Sequence, residues 1–299
     1  MTYRELYTHP SLSFLGVNRP LEEAKYVILG VPYDSTSSFR SGARFAPNAI
    51  REASLQIETY SLEAGCDAEK LPIHDLGDLD VVVDAGETLR RLELVCRELS
   101  EMGKRLVLLG GEHSITLGAV RGLKPDALVC FDAHLDLRSE YMGEPLSHAS
   151  VMRRIKELNL VDCLVWAGVR AFSREELEYA NKIGAHYITA REIRRMGAEQ
   201  VRNKLLKKLE KHSNVYLSID IDVLDPAYAP AAQNPEPAGL TTLELLELLE
   251  PLCGNAVALD VVEVSPNYDN GITALAAAKI VSECLCHMHI KRKTRDFEH

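Results

Sequence analysis

The sequence predicts an α/β fold in which helices sandwich a parallel sheet, and three observations carry that expectation. Short apolar runs of strand length recur along the chain, segments of helical periodicity lie between them, and polar clusters follow three of the runs. Such alternation builds crossover units, and these place helices on the faces of a parallel sheet.

Taken in order, strands are expected at 26–31, 106–109, 127–131, 163–167, 215–219 and 256–262, where apolar runs have strand length. Helices are expected at 87–102, 150–158, 174–183, 198–212 and 242–249, where the apolar positions recur with helical spacing. A last helix at 272–289 closes the chain, and the charged tail 291–299 is expected to fray. Segment 225–239, rich in Pro and Ala, is too short to separate domains and follows a strand directly. It reads as a long loop over a site. With no internal repeat, low-complexity stretch or linker, residues 1–299 are expected to form a single domain.

At 299 residues and 46 % hydrophobic, the chain can bury a large core. A formal net charge of -10 repels phosphate backbones, and no basic cluster offsets it, so nucleic acid is not an expected partner. The first ten residues lack the apolar core of a secretory signal, and no later run approaches the ~18 apolar residues of a membrane span. A cytoplasmic protein with no membrane partner is expected. The seven cysteines are scattered, and Cys284 and Cys286 lack C-x-x-C spacing, so all are read as reduced thiols.

In an open parallel sheet, ligands bind beyond the carboxyl ends of the strands. There the chain places Gly110-Gly111-Glu112-His113-Ser114 after LVLL, Asp132-Ala133-His134-Leu135-Asp136 after ALVCF, and Asp220-Ile221-Asp222 after VYLSI. Spacing of two along an extended chain puts Asp132, His134 and Asp136 on one side, and Asp220 with Asp222. Four carboxylates gathered at one sheet end would repel one another and resist desolvation. Two divalent cations resolve the conflict, because their charge of +4 balances -4, and His113 and His134 complete six ligands. Carboxylate oxygen without thiolate favours manganese, magnesium or iron over structural zinc. Two such ions about 3.5–4 Å apart can share a water and lower its pKa toward ~7. Asp225, before Pro226, reads as a turn residue, and His287 and His289 on the last helix read as surface residues.

These clusters resemble the signatures of the ureohydrolase (arginase/agmatinase) superfamily. The resemblance extends through Gly30 to Asp34, Gly42 to Pro47 with Ile50-Arg51, Asp75 to Asp78, Gly168 to Arg170, Ser218 to Pro226 and Val262 to Pro266. It implies a three-layer α/β/α sandwich with a parallel sheet of about eight strands, assembled as a homotrimer or homohexamer. It further implies that His113, Asp132, Asp136 and Asp220 hold one Mn(2+) and Asp132, His134, Asp220 and Asp222 the other, with Asp136 also bonding the bridging hydroxide. By the same resemblance Glu263 grips the guanidinium of a small cationic substrate, and His148 stands near the leaving amine as acid, base or proton shuttle. Read alone, Glu263 after ALDVV is a carboxylate that needs a cation, whether guanidinium substrate or protein Arg, and His148 is a helix-entry residue.

Within the superfamily the chain most resembles the prokaryotic agmatinases, which release putrescine and urea from agmatine. Other guanidino compounds, such as aminopropylagmatine, guanidinobutyrate or arginine, remain alternatives. A two-metal phosphoesterase would want Lys or Arg for the phosphate oxygens, and the clusters contain none. One departure stands out: Ala231 and Gln233 occupy positions where the family's loop carries glycine, so a reshaped loop is expected. At the mouth, Glu140, Glu144 and Glu236 against Arg138 are expected to favour an ammonium tail over a carboxylate.

Overall fold

A computed structural model gives the architecture, and it describes residues 2–290, so the tail 291–299 expected to fray lies outside the described residues. The strands are β1 (Thr8–His9), β2 (Tyr26–Val31), β3 (Tyr60–Ser61), β4 (Cys66–Asp67), β5 (Ile73–Leu79), β6 (Arg105–Gly110), β7 (Ala127–Phe131), β8 (Cys163–Val169), β9 (His186–Thr189), β10 (Val215–Asp220) and β11 (Ala256–Val262). Nine of them form one sheet in the order β1-β5-β2-β6-β11-β10-β7-β8-β9, while β3 and β4 pair separately. Only the edge strand β1 runs antiparallel to its neighbour, so the sheet holds eight parallel strands.

The helices are α1 (Tyr3–Tyr7), α2 (Ala46–Ser54), α3 (Ala85–Glu101), α4 (Ile115–Leu123), α5 (Val151–Glu157), α6 (Arg174–Ile183), α7 (Ala190–Met196), α8 (Ala198–Leu209), α9 (Thr242–Cys253) and α10 (Ile272–His289). Side chains alternate across a strand, so each strand feeds two cores. Along β7, Val129 and Phe131 pack with Ile50 of α2, Leu205 of α8, Leu248 of α9 and Ile280 of α10. Leu128 and Cys130 pack on the other face with Leu92 of α3, Val120 of α4, Met152 of α5 and Ala180 of α6. Helix entry is set locally: capping boxes of Ser173 with Glu176, Thr189 with Glu192 and Thr241 with Glu244 satisfy the first N–H groups of α6, α7 and α9. No helix among the described residues is long and apolar enough to cross a membrane.

Strands β1, β5 and β9 are absent from the sequence expectation, as are α2, α4 and α7. β5 reads I-H-D-L-G-D-L, with carboxylates where an apolar run would carry side chains to bury. Their partner is Arg51 on α2, whose side chain is wholly buried. Its Nε and Nη2 donate to the two oxygens of Asp75, both at 2.9 Å, and Nη1 donates to Asp78 at 2.5 Å. The Arg51, Asp75 and Asp78 motif is therefore a structural clamp that fastens α2 to β5. Asp34 acts similarly nearer the chain start, accepting from Gly42 N at 2.9 Å and pairing with the Arg44 guanidinium.

Removing the cation from a buried cluster leaves its carboxylates uncompensated, a loss of about 3–5 kcal/mol. Arg51→Ala should reduce the unfolding free energy by that order in a urea titration, and a change within about 1 kcal/mol would refute the clamp.

Candidate functional site

Four neighbouring strands, β6, β11, β10 and β7, end on the same side of the sheet and carry the polar clusters. β6 delivers Glu112 and His113, β11 delivers Glu263, β10 delivers Asp220 and Asp222, and β7 delivers Asp132, His134 and Asp136. Turning out of β6 requires Gly111, where an added Cβ would lie 1.9 Å from the Tyr33 carbonyl oxygen. Glu112 N donates to that same oxygen at 2.7 Å, so the backbone is fixed just before His113. Asp136 and Glu263 occupy left-handed backbone, with φ of 51° and 66°. Non-glycine residues seldom adopt that region, and such strain collects where side-chain direction matters.

All six residues expected as metal ligands converge. His113 Nδ1 lies 3.2 Å from Asp132 Oδ2, 3.0 Å from Asp136 Oδ2 and 3.3 Å from Asp220 Oδ2. His134 Nδ1 lies 2.9 Å from Asp222 Oδ2 and 3.5 Å from Asp132 Oδ1. The two oxygens of Asp132 thus face different imidazoles and link the two groups. Asp220 Oδ1 instead accepts from Asp222 N at 2.9 Å.

The donor set fits divalent cations. His113 Nδ1 is buried without a hydrogen-bond partner although three carboxylate oxygens surround it. Ligands bound about 2.1 Å from one ion at right angles lie ~3 Å apart, the spacing these atoms have. In the absence of a cation Asp220 and Asp136 resist ionisation, whereas Asp132, although buried, is drawn below the usual range by His113 and His134. Burial, then the charges of Asp222 and Asp132, push Asp220 well above the usual range, and burial with Asp132 pushes Asp136 to about 7.

The opposite nitrogen of His113, Nε2, lies 2.9 Å from Ser218 Oγ, which donates to Asp260 Oδ1 at 2.7 Å. Tyr216 and Thr116 hydroxyls also donate to Asp260, at 2.7 and 2.6 Å. This support is invisible in sequence because Asp260 lies inside a strand run rather than after it. Cys130, two residues before Asp132, is likewise at the site, with Sγ 3.6 Å from Asp132 Oδ2. Burial and the Asp132 charge push its thiol well up, and together with His113 and Asp132 it forms one group of potential ligand atoms.

Glu263 is 2 % exposed and accepts from His113 N through Oε1 at 2.6 Å, while its buried Oε2 has no partner. Among the described residues no Arg or Lys pairs with it, which removes the protein salt bridge as an explanation. Burial, then repulsion from Glu112, raises its pKa well above the carboxylate range.

A cavity of about 560 Å³ opens over these ends, and its walls include Ser38, His134, Asp136, His148, Phe172 and Glu236. His148 opens the 3-10 turn His148–Ser150 that leads into α5, so it is both a helix-entry residue and a cavity residue. Its Nδ1 lies 3.1 Å from Thr36 Oγ1 and its Nε2 3.3 Å from Ser38 Oγ. Burial, then the charges of His113 and His134, lowers its pKa to about 4.

Segment 225–239 does border the cavity, through Asn234 and Glu236. Asp225 closes it as a turn residue, accepting from Ala227 N at 3.0 Å and Gly239 N at 3.1 Å. Arg170 ties it down by donating to the carbonyls of Asp222 at 2.6 Å and Glu236 at 2.7 Å. Neither Ala231 nor Gln233, the residues standing at the expected glycine positions, is among the residues with positive φ, so both side chains are carried without left-handed strain. Three corrections concern charge. Glu140 is exposed, and Glu144 accepts from Leu146 N at 2.8 Å, so neither joins Glu236 in the wall. Glu176 takes their place, with a carboxylate oxygen 3.7 Å from Arg138 Nε. His287, expected at the surface, has a side chain only 10 % exposed.

A parallel sheet whose adjacent strand ends gather four carboxylates and two imidazoles under a cavity defines an α/β scaffold suited to divalent cations. The Arginase family profile matches residues 24–287, and the chain belongs to that family. It is 39 % identical to the N(1)-aminopropylagmatine ureohydrolase of Thermococcus kodakarensis, over 92 % of this chain and 95 % of that protein. It is 36 % identical to the agmatinase of Pyrococcus horikoshii, over 92 % and 96 %. Among solved structures, the agmatine ureohydrolase of Thermoplasma volcanium superposes with a TM-score of 0.85 at 40 % identity, covering 90 % of this chain and 92 % of that one. The protein is accordingly an enzyme, a hydrolase acting on C–N bonds of linear amidines.

The depressed His148 pKa has a sign that stability measurements can read. Between pH 6.5 and about 4 the unfolded ring binds a proton that the folded ring refuses, so this residue lowers folded stability as pH falls through that window. The stability difference between wild type and His148→Asn, measured on the metal-free chain, should therefore shift against wild type from pH 6.5 down to 4. A difference independent of pH would overturn the burial effect.

Proposed function

We propose that the enzyme hydrolyses agmatine to putrescine and urea using two Mn(2+) ions per chain. The single observation that carries this reading is the Glu263 carboxylate, buried at the sheet end with Oε2 unpartnered beside the ligand cluster. A planar guanidinium satisfies such a group with charge-assisted hydrogen bonds, which a neutral amide or an anion cannot do. The ureohydrolase activities named for the similar enzymes agree with it.

His113, Asp132, Asp136 and Asp220 would hold one ion and Asp132, His134, Asp220 and Asp222 the other. When bound, such a pair supplies Lewis acidity and a hydroxide nucleophile at neutral pH. The protein residues do the rest. Glu263 binds and orients the guanidinium, and its strained backbone aims the carboxylate at the cluster. His148, neutral above pH ~5, accepts a proton at Nε2 and returns it to the leaving amine. The tail extends into the cavity, where Glu236 offers a carboxylate to its ammonium.

A second reading, agmatine extended by an aminopropyl group, is favoured by the cavity volume of about 560 Å³ and by the Thermococcus enzyme's name. Urea release from the manganese-loaded enzyme with agmatine, aminopropylagmatine, guanidinobutyrate and arginine decides between them. The expected order puts agmatine first in kcat/KM, and carboxylate-tailed substrates at least about tenfold lower at low salt. Equal turnover of guanidinobutyrate would overturn the tail assignment.

Two variants separate metal from substrate. Asp132→Ala should lose manganese from both positions by elemental analysis, since its oxygens serve both groups. Glu263→Gln should keep both ions yet lose about 2 kcal/mol or more of transition-state binding, read as kcat/KM. Wild-type activity in Glu263→Gln would defeat the guanidinium contact.

A further inference from the structure

The loop after β2 carries four consecutive hydroxyl residues, Ser35 to Ser38, and the second, Thr36, makes a set of contacts that fixes proton positions. Thr36 Oγ1 donates to Glu112 Oε1 at 2.6 Å, and Thr36 N donates to Glu112 Oε2 at 2.7 Å. Ser114 Oγ donates to Oε1 as well, at 2.5 Å. Burial pushes Glu112 up to about 7, but Ser114 and Thr36 oppose that shift, and the three donors converging on its two oxygens hold the carboxylate as acceptor. The only proton on the Thr36 hydroxyl is thereby directed away from the cavity.

What remains on Thr36 Oγ1 is acceptor capacity, and His148 fills it. The His148 backbone N donates to Oγ1 at 3.1 Å, and its ring Nδ1 lies 3.1 Å from the same oxygen. A hydroxyl whose proton is committed elsewhere can only accept, so Nδ1 must bear the hydrogen in that contact. The neutral ring then has its lone pair on Nε2, 3.3 Å from Ser38 Oγ on the cavity wall, and the Ser38 proton turns to it in preference to the more distant Asn234 Oδ1 at 3.5 Å.

We propose that Thr36 is a positioning residue that fixes the His148 tautomer, with the hydrogen on Nδ1 and the lone pair on Nε2 toward the cavity. Glu112 completes the device by taking the Thr36 proton. The consequence is specific: the same ring atom can accept a proton and give it back while the ring keeps its orientation. The opposite tautomer would direct an N–H at the substrate and bury the lone pair against Thr36, so the ring could donate but not accept. This inference rests on His148 as the proton carrier of the proposed reaction.

The test uses full-length, manganese-loaded enzyme. Thr36→Val keeps the shape and removes the hydroxyl. Its kcat should fall about fivefold or more, a modest part of the 10²–10⁴ typical of acid–base groups, with KM changed less than kcat. Manganese content should match wild type, and Thr36→Ser should recover most of the lost kcat. A Thr36→Val kcat within about fivefold of wild type, or an equal loss in Thr36→Ser, would overturn the proposal. His148→Asn is measured in parallel. Full activity there defeats the role of His148, whereas an inactive His148→Asn beside an active Thr36→Val defeats only that of Thr36. Should Thr36→Val fail to fold, 15N NMR of the histidine-labelled, metal-free wild-type chain decides: the expected result is a protonated Nδ1 and a pyridine-type Nε2, and the reverse assignment sinks the tautomer.

Discussion

Mutual repulsion among carboxylates at one end of the sheet is the constraint on which the rest of the structure depends. Asp132, Asp136, Asp220 and Asp222 are each less than a tenth exposed, and Glu263 lies among them at 2 %. Burial of several ionised groups without compensation costs several kcal/mol each, which a fold of ordinary marginal stability cannot sustain. Cations offset that cost, and the structure holds the carboxylates where cations must come. Left-handed backbone at Asp136 and Glu263 falls at this same cluster, where side-chain direction matters.

Topology makes the convergence possible. The ligand-bearing strands are far apart in sequence, yet β6, β11, β10 and β7 are neighbours in the sheet. β11 lies between β6 and β10, so Glu263 projects between His113 on one side and the β10 aspartates on the other. A single residue of register slip would exchange the faces of a strand and send its ligands away from the cluster. The registers along β10 with β7 and β11 are therefore held by core residues on both faces, Leu217 and Ile219 on one and Tyr216 on the other. Tyr216 does this while its hydroxyl reaches Asp260, so packing and ligand support are joined in one side chain.

Much of this was legible in the sequence, for physical reasons that also mark where legibility ends. Strands in the middle of a doubly covered sheet must be apolar on both faces, so β2, β6, β7, β8, β10 and β11 stand out as uniform runs. Edge-proximal strands escape that demand: β5 carries aspartates for Arg51, and β9 reads H-Y-I-T with no fully buried residue. The convergence of the six candidate ligands was legible because paired polar residues follow apolar runs. Glu112 and Asp260 were not assigned support roles, since that depends on contacts with Thr36, Ser114, Ser218 and Tyr216 from distant parts of the chain. The mouth charges failed for a related reason. Nearness of Glu140 and Glu144 to Asp136 in sequence says nothing about which way a loop turns them, and Glu176, from α6, reaches the cavity instead.

The departures from the family pattern, Ala231 and Gln233, are buried behind the cavity wall, next to Asn234, which lines it. Gln233 stands where glycine is usual, yet its backbone N donates to Glu263 O at 2.9 Å and its side-chain oxygen accepts from Ser37 Oγ at 2.9 Å. The same backbone brace that steadies Glu263 therefore survives the substitution, because an N–H is available whatever the side chain, provided φ stays negative. What the added side chain changes is the link between the 225–239 loop and the 36–38 loop, which glycine could not make. Ser38 adds a second link to Asn234 at 3.5 Å and touches His148 Nε2. The strand ends thus cannot shift without exposing buried charge, whereas the two loops joined by Gln233, Ser37, Ser38 and Asn234 can exchange residues at lower cost.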